Sequence, residues 1–407
     1  MRHILLTIFA VLLFQTSHAQ VARSWGLQSI GIEQAWQAGL FGAGEPGKEV
    51  IVAILGGGVE VNHPLLGASI LQNPGEIGND EFGIDKRING RDDDGNNYPD
   101  DWAGYNVPRR SGPRIEIPFH ELETQVAGII AGQHRDANRI EDKVQGIAPG
   151  AKILPVTFMD QFGRANPAHI LEAIDYAVLR GAKIICAPWN LGQDFPGLRE
   201  KILSLGQAGV LFVSSAGNMN QNIDALPIYP GSYNFDRQIT VGAHRPVDFQ
   251  KVASSGFGQN SVHLMAPGEE ILTTSLNGQV SELSGAAAAT AYVAGVAAVL
   301  WAAYPQATVT DISDAILLGT TQETVFDGLT WTEGRLSFPG AMQQLDSFFQ
   351  TPAQVAPTEG ESTPQVENKD AMESRFGPRA KPRVSKEEPS SPGGQASEIQ
   401  VQDLSRE

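Results

Sequence analysis

The chain has 407 residues, 41% of them hydrophobic and 18% charged, with a formal net charge of −17. That acidic surplus excludes nucleic acid or an anionic membrane as a simple electrostatic partner. The composition is that of a globular protein with a sizeable core. Cys186 is the only cysteine, so no internal disulfide is available, and its apolar surroundings (Lys183 to Ala187) read as a buried structural thiol.

In chain order, Arg2 and His3 precede an apolar run from Ile4 to Phe14, followed by the small residues Ser17-His18-Ala19. This is the layout of a secretory signal over residues 1–19, too short for a membrane span. No cysteine follows the expected cut before Gln20, which argues against a lipid anchor. The expectation is a secreted or periplasmic protein with no membrane span.

From residue 20 to 349, buried-strand runs alternate with helical stretches. Glu49–Leu55, Ala151–Phe158, Ala182–Ala187, Gly209–Ser214 and Gln238–Gly242 are short apolar runs, as expected for parallel strands covered on both faces. Asn166–Arg180 spaces Ile170, Leu171, Ile174 and Val178 along one helical face, with Gly181 as the stop. Phe195–Gly206 is a second helix. Gly285–Tyr304 is apolar nearly all round, which predicts a central core helix. The alternation specifies an α/β class with a mostly parallel sheet and helices on both sides. Residues 350–407 turn to Pro, Glu, Ser, Gln and Lys without periodicity, and predict a disordered tail.

Seven segments in order, "VIVAILGGGVEVNHPLL", "ETQVAGIIAG", "VQGIAPGAKILPV", "SSAGN", "YPGSYN", "LMAPGEEILTT" and "LSGAAAATAYVAGVAAVLWAAYP", resemble successive landmarks of the subtilisin family of serine peptidases. The resemblance implies a three-layer subtilisin-like fold and a chemistry of Ser nucleophile, His base and orienting Asp. The family's Asp-Thr-Gly or Asp-Ser-Gly motif is matched by Gly56-Gly57-Gly58, putting Gly56 at the carboxylate position. Its His-Gly-Thr-His-Val-Ala-Gly is matched by Leu122-Glu123-Thr124-Gln125-Val126-Ala127-Gly128, with Leu122 for the His. Its Gly-Thr-Ser-Met-Ala-Ala-Pro pattern is matched from Gly285, with Ala287 for the nucleophile. Gly, Leu and Ala cannot donate, accept or attack, so the resemblance implies a pseudopeptidase that binds a peptide or protein partner.

Several neighbours bear on that reading. His120 would point away from the site if it shared a helix with Leu122, because two residues turn a helix by about 200°; in a preceding loop its direction is open. Glu123 adds a carboxylate beside the lost His, while His63 and Ser284 have ordinary family counterparts. Asn218, in Ala216-Gly217-Asn218, matches the family's oxyanion donor, and its persistence is read as structural. The family pairs substrate backbone with a Ser-Leu-Gly segment; aligning it with Ala187–Gly192 puts Pro188 at the Ser position, which casts doubt on strand pairing there. "RSWGLQSIGIEQAW" follows the leader without room for the family's propeptide.

Asp92-Asp93-Asp94-Gly95-Asn96-Asn97 and Asp100-Asp101 gather hard oxygen ligands on a glycine turn. Asp92, Asp94, Asn96 and Asp100 are the expected ligands of a structural calcium; the alternative is a solvated acidic turn. Two further functions stay open: a serine-type endopeptidase working through an unorthodox site that includes His120, Glu123 or Asn218, and a relic without ligand. An open polar groove around Gly56, Leu122 and Ala287 would favour binding, whereas a cleft filled by Leu122 and Tyr292 would favour the relic.

Overall fold

The computed structural model describes residues 24–45, 48–113, 118–135, 143–350, 371–372, 374–377 and 399–402. The expected signal segment, 1–19, lies outside them. Fourteen strands are present among the described residues: β1 Ile51–Gly56, β2 Tyr105–Asn106, β3 Lys152–Thr157, β4 Arg164–Ala165, β5 Ile184–Ala187, β6 Asn190–Leu191, β7 Leu211–Ser215, β8 Gln238–His244, β9 Leu264–Pro267, β10 Ile271–Thr274, β11 Val280–Leu283, β12 Thr321–Gln322, β13 Gly334–Arg335 and β14 Ile399–Gln402. Residues 24–30 are helical, followed by the helices α1 Glu33–Gln37, α2 Leu122–Ala131, α3 Pro167–Leu179, α4 Pro196–Gln207, α5 Ala286–Ala303, α6 Val309–Leu318 and α7 Phe338–Gln350.

Nine strands form one sheet in the order β12-β13-β9-β8-β7-β5-β1-β3-β2. Every neighbouring pair is parallel except β12 with β13. β1 alternates its side chains between two cores: Val52 and Ile54 face one, Ala53 and Leu55 the other. α2 and α5 cover the first face; α3 and α4 cover the second. This is the expected α/β three-layer arrangement.

Local chemistry explains the element ends. Asn166 caps α3 by accepting the Ala168 N–H at 2.9 Å, and Pro167 fits the first turn, where its missing N–H costs nothing. α4 also begins on a proline, Pro196, so Gly197 does not prevent it. α5 is the one helix among the described residues with the length and apolarity of a membrane span, but 89% of it is buried inside the protein.

β1 sits between β3 and β5, so the chain leaves it in opposite directions along the sheet. In open parallel sheets such a reversal opens a crevice beyond the strand carboxyl ends. Gly56 ends β1 at that point, and β4, β6 and Asn218 follow the carboxyl ends of β3, β5 and β7.

Most of the tail expected to be disordered, 350–407, lies outside the described residues, but some of its residues are described and packed. Met372 is buried in the main core, Phe376 packs on Trp331 with ring centroids 5.5 Å apart, and Arg375 donates to the carbonyls of Leu318 and Thr320. Ile399–Gln402 forms β14. Low-complexity composition hid these contacts because each is carried by a few residues pairing with distant parts of the chain.

The acidic loop is tied to the sheet by a buried network. Asp101 accepts from Arg180 Nη1 at 2.5 Å, from Tyr176 Oη at 2.8 Å and from Asn73. Burial raises the Asp101 pKa even though the Arg180 charge opposes it. Removing Arg180 would leave a buried carboxylate short of its counter-ion. Arg180→Ala is therefore expected to lower stability by about 3–5 kcal/mol, measured by urea unfolding; a change below about 1 kcal/mol would contradict the network's role.

Candidate functional site

The crevice floor begins at Gly56. Its neighbour across space is Glu123, in the first turn of α2. A Cβ added at Gly56 would overlap Glu123 Oε1 and lie 2.5 Å from Cδ and 2.7 Å from Cγ. Glu123 is buried. In the pattern that aligns here, a carboxylate stands at position 56 and glycine at 123; this chain has glycine at 56 and a carboxylate at 123. The volume left by one side chain is filled by the other.

Leu122 and Ala287 are both buried and belong to the apolar cluster that joins α2 to α5. Tyr292 turns its hydroxyl to Gly26, where an added Cβ would overlap it. His120 stands in the loop before α2, with Glu121 as the N-cap position. Its ring packs on Gly57, where an added Cβ would lie 2.6 Å from His120 Cβ and Cδ2, and its Nε2 is 2.8 Å from the Asp160 carbonyl. His63 is buried and structural: Nδ1 accepts the Leu65 N–H at 3.1 Å, so the proton is on Nε2, which donates to the Gln279 carbonyl at 2.9 Å. Ser284 accepts the Glu270 N–H at 2.9 Å.

Asn218 has a structural task. Gly285, the N-cap of α5, has φ of 115° and no side chain to cap the helix. Asn218 supplies the missing acceptor, taking the Ala286 N–H on Oδ1 at 2.8 Å. A side chain at Gly285 would both strain the backbone and collide with this amide.

Leu122 and Ala287 are closed off in the core, and the open space begins next to them, at Gly57. A cavity of about 380 Å³ is lined by Gly57, Gly58, Asn106, Phe119, Thr157 and Met159, among others. Beside it, β4, β14 and β6 form a separate three-stranded sheet. This corrects the assignment of Pro188: the pairing edge is Asn190–Leu191, two residues on, where every residue has an N–H. Tyr229 pairs with the other edge of Leu191, with N–H···O distances of 2.6 and 2.9 Å. The Asn190 amide is fully buried near Gly217 and Gly231, and neither its Oδ1 nor its Nδ2 has a hydrogen-bond partner.

The expected calcium ligands rearrange. Asp92 and Asp94 converge with Glu76, which the sequence did not single out; their facing oxygens lie within 4.8 Å of one another. Asn96 turns its Nδ2 to Asp94 at 3.2 Å and Asp101 at 3.1 Å, acting as a donor. Asp100 accepts the Gly90 N–H at 2.9 Å. Glu76 is fully buried; Oε1 accepts the Asp93 N–H at 2.7 Å, whereas Oε2 has no partner. Burial raises the Glu76 pKa to about 7, with the charges of Asp101, Asp93 and Asp94 adding to it. At Asp92 burial is outweighed by backbone N–H donors from Asn97, Asn96 and Gly95, which hold its pKa below the ordinary value. A crowded carboxylate set with one orphaned oxygen fits a hard divalent cation.

The family model described as the subtilase family matches residues 47–333. The chain belongs to the subtilase family. This subtilase is 31% identical over 257 residues to an intracellular serine protease of Paenibacillus polymyxa, covering 62% of its own length and 67% of that protein. It is 28% identical over 280 residues to the major intracellular serine protease of Bacillus subtilis, covering 68% and 74% respectively. It is 24% identical over 347 residues to subtilisin-like protease 2 of Plasmodium falciparum, spanning only 23% of that longer protein. Among solved structures it resembles the prenylagaramide maturation protease PagA, with a TM-score of 0.57, 25% identity, and 77% and 98% of the two chains covered.

Two outcomes follow from this geometry. Gly56→Asp should destabilise the fold by about 3 kcal/mol or more, by forcing two buried carboxylates into one space; adding Glu123→Gly should restore most of the loss. Additive effects in thermal unfolding would contradict the shared volume. Asn218→Ala should cost about 1 kcal/mol through loss of the α5 cap, and no change in urea midpoint would refute that role.

Proposed function

We propose that this subtilase is a secreted pseudopeptidase that binds an extended peptide or protein segment without cutting it. The observation that carries the reading is the Gly56–Glu123 exchange. All three catalytic positions lack a reactive group, and the space of one of them is occupied by a side chain from α2. Subtilase proteolysis needs a nucleophile and a base within hydrogen-bond reach of each other, and Ala287 and Leu122 supply neither.

The remaining groups do not favour the alternative, a serine-type endopeptidase with an unorthodox site. His120 Nε2 is engaged at the Asp160 carbonyl, and Asn218 Oδ1 holds α5. The crevice keeps a strand edge at Asn190–Leu191 that accepts a pairing strand, here β14, with an adjoining cavity and a buried amide at Asn190. These favour an extended ligand that brings backbone hydrogen bonds and a polar group.

Calcium at Glu76, Asp92 and Asp94 would neutralise the carboxylates at the loop that Asp101 fixes to α3. Its contribution there would be stability, not reaction chemistry. The leader over residues 1–19 supports export, with a mature chain starting at Gln20.

Purified protein should take no label from a fluorophosphonate serine probe and release no fragments from casein. Turnover that survives repurification and disappears on substitution of His120 or Glu123 would restore the enzyme reading. Millimolar calcium should raise Tm by several degrees in the wild type and by much less in Glu76→Gln; equal shifts in the two would remove the site.

A further inference from the structure

The central strand of the small sheet comes from the far end of the chain. β14 runs antiparallel to both its neighbours, with Ile399 opposite Ala165, Gln400 opposite Arg164, Val401 opposite Leu191 and Gln402 opposite Asn190. The Val401 N–H donates to the Gly163 carbonyl at 3.2 Å. Val401 is 1% exposed and joins the apolar cluster that contains Ala165 and Leu191.

Without β14, the edges of β4 and β6 would face each other across a gap of two strand spacings, about 10 Å. Such a gap admits one extended chain and nothing bulkier in its backbone plane. Unpaired edges on both sides would bind any such chain by main-chain hydrogen bonds. β6 belongs to the segment that aligns with the substrate-pairing stretch of subtilisin-like peptidases, so the tail lies where a peptide would.

The tether permits this within one molecule. Met372 and Phe376 are anchored on the core near Leu318 and Trp331. Roughly 20 residues then separate Gly377 from Ile399, a reach of about 70 Å when extended.

We propose that Ile399–Gln402 is this subtilase's built-in ligand: it fills the extended-peptide slot between β4 and β6, and an outside peptide enters only by displacing it. The proposal rests on reading the crevice as peptide-binding and adds its regulation. A partner that captures the C-terminal tail would open the slot, and a peptide with a β-branched residue at the Val401 position would compete best.

Hydrogen exchange with mass spectrometry compares the full chain, the full chain carrying Val401→Pro, and a chain ending at Ser397. Proline removes the N–H given to Gly163 and is poorly tolerated in a central strand. The Gly163 and Arg164 N–H groups are held by Asp160 and the Leu191 N–H by Tyr229. The amides of Ala165, Asn190 and Gly192 are therefore the ones that should exchange at least tenfold faster in both variants, with β1, β5 and β7 unchanged. A labelled peptide with the sequence of residues 397–403 should bind the shortened chain at least tenfold more tightly than the full chain. Unchanged exchange overturns occupancy by the tail. Faster exchange without peptide capture overturns displacement, and the peptide-binding function with it. A full chain that is dimeric by light scattering, and monomeric when shortened, would assign the strand to a second copy and overturn the intramolecular proposal.

Discussion

The close packing of Glu123 against Gly56 is the contact on which the rest of the site depends. β1 and α2 meet at the carboxyl edge of the sheet, and the space between them admits one carboxylate-bearing side chain. In the pattern that this chain resembles, that side chain comes from the strand. Here it comes from the helix, and the strand contributes only backbone. The first turn of α2 is thereby packed on β1 with no histidine at position 122. Leu122 then faces the core with α5, so the helix that would present a base instead completes an apolar contact.

The surrounding framework is kept because it supports the fold by itself. Asn218 is needed at the start of α5, since Gly285 cannot cap the helix it begins. Thr273 and Thr274 of β10 donate to the carbonyls of Gln125 and Thr124, and an added Cβ at Gly128 would collide with both threonines. α2 is thus locked between β1 and β10 whether or not chemistry takes place. A scaffold held this firmly can lose its reactive groups and keep its crevice.

Much of this was legible in the sequence. The five apolar runs became β1, β3, β5, β7 and β8, with ends displaced by a residue or two, because continuous Val, Ile and Leu runs mark strands buried on both faces. α3 and α5 were equally readable, one from its cap and stripe and the other from uniform apolarity. Motif order is what aligns positions 56, 122 and 287 with the family's catalytic pattern. What stayed hidden depends on contacts between distant residues. Glu76 lies 16 residues before Asp92 and joins the acidic loop only after the chain turns back. Motif matching placed the pairing edge two residues early, at Pro188, although Asn190-Leu191-Gly192 matches Ser-Leu-Gly at two of its three positions. β14 has four residues in a polar tail, and its strand character exists only because β4 and β6 supply both edges.

Under the proposed pseudopeptidase reading, space as well as missing groups would keep the site from reacting. Restoring Gly56→Asp, Leu122→His and Ala287→Ser together, with and without Glu123→Gly, tests this through the rate of hydrolysis of a chromogenic peptide. The fourfold variant should exceed the threefold one by at least tenfold in kcat/KM, because only then is there room for the orienting carboxylate on β1. Equal rates in the two would show that Glu123 does not occupy that volume, and would contradict the account.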